Sequence, residues 1–203
     1  NIVNLIELLT GGARPNNEIT VQLIEGWTLQ QMGDYIEKIG FGSAREFVKF
    51  VSVSSSFNTL LKGQADVFAN KPSSASLEGY LFPDTYRLFK GSSIADLVER
   101  MLNNFEKKFL LVWRTELARR GINVHEAVTL ASIVEREVKT DPDRAIVADI
   151  FWRRIKVGRG LEADSTVNYI TGKSLPSVTY EDLKINSPYN TYLYPGLPPT
   201  PIA

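Results

Sequence analysis

Apolar and polar positions follow two different periods along the chain, and its first part shows both. From Ile2 to Leu9 the apolar residues recur at helical spacing, and Gly11 and Gly12 interrupt the run. From Ile19 to Ile24 the residues are largely β-branched and alternate, which is typical of a strand, and Gly26 then turns the chain. The pattern therefore predicts a helix, then a strand, then short helices.

Two four-residue patterns predict the starts of those short helices. Thr28-Leu-Gln-Gln31 and Ser43-Ala-Arg-Glu46 each place a hydroxyl where it can accept from a free amide of the first turn, with Gln or Glu reaching back. A tract rich in Ser, Lys and Pro follows, from Asn70 to Ser76. We place a domain boundary there, which gives a small unit of residues 1–72 and a larger unit of residues 73–203.

The larger unit begins with an aromatic segment and continues with three helices. Leu77 to Leu88 predicts a strand-turn-strand element with a sharp bend. A long amphipathic helix is predicted from Ser93 to Arg120, a second from Val124 to Lys139 and a third from Pro142 to Lys156, with Asp141 as the N-cap of the third.

After these helices Gly, Pro, Asn, Ser and Tyr dominate, so the last third is predicted to be mostly loop and short strand. The fold class expected from the whole pattern is α+β: a small α/β unit followed by a mixed helical and short-strand domain.

Composition removes several classes of function. Lys plus Arg and Asp plus Glu both total 23, so no basic surface indicates a nucleic-acid partner. There is no cysteine, which excludes thiolate chemistry, and no apolar run approaches the ~20 residues of a membrane span. The chain starts within a helical pattern and without Met, so we interpret it as an excised fragment from whose front an anchor has been removed.

His125 is the single histidine, which excludes zinc motifs that need two and leaves a Ser-His-Asp triad only this residue. It stands at the start of a predicted helix, and we expect it on the surface. The chemistry is therefore expected from carboxylates, hydroxyls and amides, without metal or cofactor.

One carboxylate occupies an unexpected position in the helix that begins at Val124. At 3.6 residues per turn, Glu135 falls inside the apolar stripe, while Glu137 lies near its edge and Arg136 points away. Burial among apolar side chains raises the pKa of a carboxyl group, which suits a general acid. A structural role is the alternative, in which Glu135 pairs with a buried arginine or caps a helix. The stripe consists of Val124, Ala127, Val128, Ala131, Val134 and Val138.

Several blocks of sequence carry a resemblance to a known family. Leu130-Ala-Ser-Ile-Val-Glu-Arg-Glu137, Leu77-Glu-Gly-Tyr-Leu-Phe-Pro-Asp-Thr-Tyr86, Ser187-Pro-Tyr-Asn-Thr-Tyr192 and Gly196-Leu-Pro-Pro199 are similar to blocks of the MltG (YceG-like) family of endolytic murein transglycosylases. Leu23-Ile-Glu-Gly-Trp-Thr28 is similar to the LysM-like subdomain of that family.

The resemblance implies a single-pass protein of the bacterial inner membrane whose extracytoplasmic part cleaves the β-1,4 bond between N-acetylmuramic acid and N-acetylglucosamine. The product carries a 1,6-anhydro end, and the enzyme works beside the synthases that elongate glycan strands. The catalytic glutamate of the family maps onto Glu135, with Glu137 as second choice. Such an enzyme needs no second carboxylate as nucleophile, unlike most glycoside hydrolases.

Further substrate-binding candidates come from the same blocks. Asn190 and Tyr192 lie in a Pro-rich loop, where an amide and a phenol can bond sugar hydroxyls or serve the turn itself. Glu78 and Asp84 could line the cleft or satisfy turn amides, and we favour the structural role for Asp84. Glu162 stands where the family often has glutamine, which makes it either a site residue or a departure.

Two other functions stay open at this point. A degenerate domain could bind peptidoglycan without cutting it, and Glu162 keeps that alternative in view. The family usually continues beyond the position of Ala203, so part of the cleft is expected to be missing. The second alternative is a pyridoxal-phosphate-dependent aminodeoxychorismate lyase, but no Gly-rich strand-to-helix turn is present to hold the phosphate.

Overall fold

The computed structural model describes residues 17–61, 65–109, 111–173 and 177–203. The helix predicted from Ile2 to Leu9 lies outside these residues. The described chain is mostly helical with a small two-stranded sheet, so the expected mixed α+β class is confirmed at that level.

Strands and helices follow one another in the order given next. They are β1 (Glu18–Gln22), α1 (Leu29–Lys38), α2 (Ala44–Ser52), α3 (Ser54–Leu61), α4 (Ala65–Phe68), β2 (Thr85–Phe89), α5 (Ile94–Lys108), α6 (Leu111–Arg120), α7 (Val124–Glu137), α8 (Asp141–Lys156), α9 (Asp164–Thr171) and a 3-10 turn (Asp182–Lys184). None of the helices in the described ranges is long and apolar enough to cross a bilayer.

The sheet joins two distant parts of the sequence. Strands β1 and β2 run antiparallel, with Ile19 opposite Leu88 and Val21 opposite Tyr86. Val21 and Leu88 are almost fully buried, so one face of the pair belongs to the core. The strand-turn-strand prediction for Leu77 to Leu88 is therefore wrong, because the residues before β2 form turns and its partner comes from the start of the chain.

The two predicted capping boxes have different outcomes. Gln31 N–H donates to Thr28 Oγ1 (3.3 Å) and Thr28 N–H donates to Gln31 Oε1 (2.9 Å), which confirms the box that starts α1. Ser43 occupies the N-cap position of α2 but its side chain accepts no capping hydrogen bond, so that prediction is wrong. Helix α2 is held instead by burial of Phe47 and Val51.

The long helix predicted from Ser93 to Arg120 is two helices. Helix α5 buries Leu97 and Met101, and the backbone leaves the helical region at Phe109 with ψ of 80°. Since the apolar spacing stays in phase across the break, the periodicity alone could not reveal it.

The C-terminal third also differs from its prediction. It contains helix α9 and a 3-10 turn, and none of its described residues belongs to a strand. Helix α8 begins one residue earlier than expected, and Thr140 rather than Asp141 is its N-cap, since Thr140 Oγ1 accepts from Asp143 N–H (3.3 Å).

Two hydrophobic clusters meet at α7. The first gathers β1, α1 to α5 and β2 and includes Val124 and Val128, while the second contains Leu130 and Ile133 together with parts of α8 and the C-terminal segment. The pairing of β1 with β2 crosses the boundary predicted after residue 72, and that boundary stays a prediction. Helix α7 is thus fixed by both clusters.

The C-terminal segment packs against α7 and the turn before β2. Ile202 is fully buried, and its N–H donates to Ser132 Oγ (3.0 Å). Gly79 has a φ of +78°, and a Cβ added there would lie 2.4 Å from Pro201 Cβ. Only glycine fits both the left-handed backbone and this close approach.

Candidate active site

A cleft of about 580 Å³ runs along α7, between the turn after β1 and helices α6 and α8. Its walls are mainly apolar. The lining residues include Ile24, Trp27, Leu29, Met32, Leu81, Phe82, Phe109, Leu117, Ala127, Val128, Ala131, Val134, Arg144, Trp152 and Ala203, together with Glu25 and Glu135.

The predicted stripe of α7 lies on the wall of this cleft. Val128 and Val134 are buried, whereas Ala131 is exposed, so part of the predicted stripe is open to the cleft. The fully buried face of the helix is displaced toward Leu130 and Ile133. Both hydrophobic clusters include residues of α7, and its positions along the cleft combine the small Ala127 and Ala131 with Val128 and Val134.

Glu135 is half-buried on that wall. Burial raises the pKa of its carboxyl, and the carboxylate of Glu25 raises it further, while the guanidinium groups of Arg144 and Arg136 act in the opposite direction. Among the described residues its side chain has neither a salt bridge nor a hydrogen bond. This favours a proton donor over the pairing or capping role that the sequence left open.

Glu25 and Arg144 were missed by the sequence reasoning. Glu25 follows β1 and precedes Gly26, whose φ of +76° turns the chain toward α1. Arg144 lies on the first turn of α8, where its Nη1 donates to Asp141 Oδ1 (3.0 Å). The only signal for Glu25 was its place in the block from Leu23 to Thr28.

Two tryptophans contribute flat apolar surfaces to the cleft. Trp27 lies 5.3 Å from Tyr35 between ring centroids, and Trp152 lies on α8 opposite α7. The apolar faces of pyranose rings pack on such surfaces, with the polar edges of the sugar left for hydrogen bonds.

Glu78 lies in a neighbouring hollow and not in the cleft. Its side chain is almost fully buried, with Oε1 accepting from Leu29 N–H (2.9 Å) and Oε2 accepting from the Tyr169 hydroxyl (3.4 Å). Burial is the main cause that raises the pKa of Glu78 to about 7. Asp84 takes the structural role favoured for it, since it accepts from Thr85 N–H and from the Asn104 amide.

Glu137 and Glu162 also lie away from the lining of the cleft. Glu137 Oε1 accepts from Ser165 N–H (3.1 Å) in the first turn of α9, whose N-cap residue supplies no side-chain bond. Glu162 has a φ of 52° and pairs with Arg154 (3.2 Å). The structure thus assigns both carboxylates to contacts within the fold.

Asn190 and Tyr192 hold the loop in which they occur. Asn190 is fully buried, and its amide donates to the carbonyls of Leu183 and Ile185 (both 2.9 Å), so no part of it is open to a ligand. The role of Asn190 as a substrate ligand stays a prediction that these contacts do not support. The Tyr192 hydroxyl donates to Asp164, and Tyr192 does not line the cleft.

His125 is half-buried, in contrast to the expected surface position. Its Nε2 lies 3.0 Å from the Pro199 carbonyl and its Nδ1 lies 2.7 Å from the Tyr80 hydroxyl. Because a carbonyl only accepts, Nε2 carries the proton and Nδ1 accepts from Tyr80. Burial lowers the pKa of His125, which therefore serves as a neutral structural link. Among the described residues no group of His, Asp and Glu could hold a metal ion.

A half-buried carboxyl of raised pKa on the wall of an open cleft, beside aromatic surfaces, defines a site of the kind that general acids occupy. The profile of the YceG-like family matches residues 1–203, and the chain therefore belongs to that family.

Individual relatives agree with this assignment. The chain is 33% identical over 204 residues to a Bacillus subtilis protein named endolytic murein transglycosylase, which covers 98% of this chain and 56% of the relative. A Streptococcus pneumoniae R6 protein of the same name is 30% identical over 219 residues, covering 98% of this chain and 39% of the relative. The chain thus spans about half the length of the curated relatives it matches.

A solved structure has the same fold. The crystal structure of a YceG-like protein from Listeria monocytogenes superimposes with a TM-score of 0.81 at 28% identity, covering 100% of this chain and 68% of that one.

Proposed function

We propose that this chain carries the catalytic site of an endolytic murein transglycosylase, in which Glu135 acts first as an acid and then as a base. The observation that carries the proposal is Glu135 itself: a half-buried carboxyl of raised pKa on the wall of a cleft large enough for sugar rings. The names of the relatives supply the substrate, murein.

The first step breaks the β-1,4 bond between N-acetylmuramic acid and N-acetylglucosamine. Protonated Glu135 gives its proton to the glycosidic oxygen, the bond breaks, and positive charge develops on the muramic acid anomeric carbon. The carboxylate of Glu25 in the same cleft supports this step, because its negative charge helps Glu135 to keep its proton until the sugar is bound.

The second step closes a ring on the muramic acid. Glu135, now a carboxylate, takes the proton of the 6-hydroxyl as its oxygen bonds to the anomeric carbon. The product is a 1,6-anhydro end, the glutamate is again protonated, and no water is consumed. One carboxyl in the correct place therefore serves both proton transfers.

We also propose a domain assignment and a location that agree with this function. We assign residues 1–72 to a LysM-like subdomain and residues 73–203 to the YceG-like catalytic domain. The full-length protein would act on the extracytoplasmic side of the cytoplasmic membrane, where murein lies, held by a single-pass anchor and close to the cell-wall synthases.

Product analysis tests the proposal. Purified murein is digested with the wild-type protein, with Glu135→Gln and with Glu99→Gln, a control that changes an exposed glutamate on α5. We expect 1,6-anhydro muropeptides from the wild type and the control, with a loss of about 10²–10⁴-fold in Glu135→Gln. Circular dichroism shows whether each variant is folded.

Each contrary result has a separate meaning. Full activity of folded Glu135→Gln contradicts the role of that residue. Reducing ends in place of anhydro ends would indicate hydrolysis, for which Glu25 would be the second carboxylate in the cleft. Binding of murein without any product would favour the non-catalytic module.

A further inference from the structure

A second hollow, of about 420 Å³, shares the lining residue Leu29 with the cleft. Its lining comes from the start of α1, from α2, from the segment before β2, from α7 and from α9 with the residues after it, and it includes Glu78, Arg136 and Tyr169. Leu29 lines both the hollow and the cleft. The two cavities are therefore adjacent.

Arg136 lines this hollow, and its guanidinium group is available to bind a ligand. It is half-buried, and among the described residues it forms no ion pair and donates no side-chain hydrogen bond. Lys173, which also lines the hollow, is held by Asp182 at 2.8 and 3.0 Å. A partly desolvated guanidinium without a partner is unfavourable, and its planar fork of donors matches a carboxylate.

The neighbouring carboxyl does not neutralise this cation. The Glu78 carboxyl accepts hydrogen bonds from Leu29 N–H and from the Tyr169 hydroxyl. Because its pKa is raised to about 7, a large fraction of Glu78 is protonated near neutral pH. Arg136 and Glu78 line the same hollow, and the positive charge of Arg136 lowers the pKa of both Glu78 and Glu135. An anion entering the hollow would meet a net positive site beside the cleft.

The ligand follows from the chemistry of the proposed substrate, on which this inference rests. The sugar rings of a murein strand are neutral, and its carboxylates belong to the peptide stem that branches from the muramic acid. We propose that Arg136 binds a carboxylate of the peptide stem, and that the stem occupies the hollow while its muramic acid lies in the cleft beside Glu135.

Two substrates and three proteins test the inference. Stem-bearing strands are compared with strands whose stems an amidase has removed, and kcat/KM for anhydro-end formation is measured for the wild type, Arg136→Gln and Arg153→Gln. Arg153, an exposed cation on α8, is the matched control. We expect the ratio of stem-bearing to stripped kcat/KM to drop about tenfold or more in Arg136→Gln, and to stay unchanged in the control.

An unchanged ratio in folded Arg136→Gln overturns the inference. The inference is also overturned if Arg136→Gln loses more kcat/KM on stripped strands than on stem-bearing strands. Stripped strands carry a free lactyl carboxylate on the sugar, and Arg136 would then bind that group.

A binding measurement separates this inference from the proposed function. Free stem peptide is titrated into the wild type, Arg136→Gln and Arg136→Lys, and we expect binding to weaken in the order wild type, Lys, Gln. Absence of anhydro ends from every protein would defeat the proposed function, while the peptide titration would still decide the role of Arg136. Equal binding by all three proteins would defeat the stem site alone.

Discussion

Glu25 and Glu135 line one cleft, and the negative charge of Glu25 raises the pKa of the Glu135 carboxyl. The two residues belong to distant parts of the sequence, one in the turn after β1 and the other near the end of α7. Their relationship makes Glu25 an electrostatic regulator of the proposed acid.

The first prediction concerns the pH dependence of activity. A general acid is active while protonated, so the rate falls as pH rises through its pKa. Glu25→Gln removes the negative charge that raises the pKa of Glu135, and we expect the alkaline limb of the rate profile to move to lower pH. The profile of kcat/KM for anhydro-end formation is the measurement.

Arg144→Gln provides the opposite change. The positive charge of Arg144 lowers the pKa of Glu135, so removal of that charge should move the alkaline limb of the rate profile to higher pH. Glu99→Gln should leave the limb in place. Shifts in the same direction for Glu25→Gln and Arg144→Gln would contradict the electrostatic account.

The second prediction concerns Glu78 and stability. Its pKa is about 7 in the fold, above the 4.5 of the free side chain, so the folded state binds the proton more tightly. This contribution to stability is complete below pH 4.5 and is lost as pH rises through about 7. The free energy of unfolding of Glu78→Gln, taken relative to that of the wild type, should therefore rise by on the order of 2–3 kcal/mol between pH 4.5 and 8.

Urea unfolding across that pH range measures the difference, with Glu99→Gln as the control. Parallel stability curves for wild type and Glu78→Gln would show that Glu78 titrates as it does in the unfolded chain.

The third prediction concerns His125. Its pKa is lowered in the fold from 6.5, mainly by burial, so the unfolded state binds the proton more tightly. The resulting loss of stability should begin as pH falls through 6.5 and grow at lower pH. His125→Gln, which cannot titrate, should lack this component. Urea unfolding at pH 5 and pH 7.5 tests it, and an identical pH dependence in both proteins would contradict the lowered pKa of the half-buried imidazole.

The fourth prediction concerns Gly79. Gly79→Ala adds a Cβ that meets Pro201 and places alanine at a φ of +78°. We expect a loss of about 2–4 kcal/mol in the free energy of unfolding, from strain and overpacking together. Gly91→Ala is the matched control, because Gly91 has a φ of +93° with no atom near its added Cβ.

Gly91→Ala should lose only the free energy of unfolding that comes from backbone strain, about 1–2 kcal/mol. Equal losses at the two glycines would mean that the segment around Pro201 yields to the new methyl group without cost.

Local patterns were sufficient for part of the site. Helix α7 was predicted from Val124 to Lys139 and ends at Glu137, and the position of Glu135 within its stripe follows from helical geometry alone. The role of Glu25 could not be predicted, because it depends on how the turn after β1 closes against α7. No local pattern contains that tertiary relationship.

Polar loop residues were the least predictable. Asn190 was a reasonable candidate because amides in Pro-rich loops bind ligands, but the same residue type holds turns together. Only its burial and its bonds to Leu183 and Ile185 distinguish the two roles. The residue with the open guanidinium, Arg136, was expected merely to point away from the stripe.

The pairing of β1 with β2 has a consequence for synthesis on the ribosome. A nascent chain that ends before Thr85 has no partner for the edge of β1, and the first cluster stays incomplete until Val124 and Val128 of α7 have emerged. Such long-range closure is slow and exposes strand edges and apolar surface meanwhile. A premature stop within α5 should therefore yield an aggregation-prone fragment rather than an independently folded N-terminal unit.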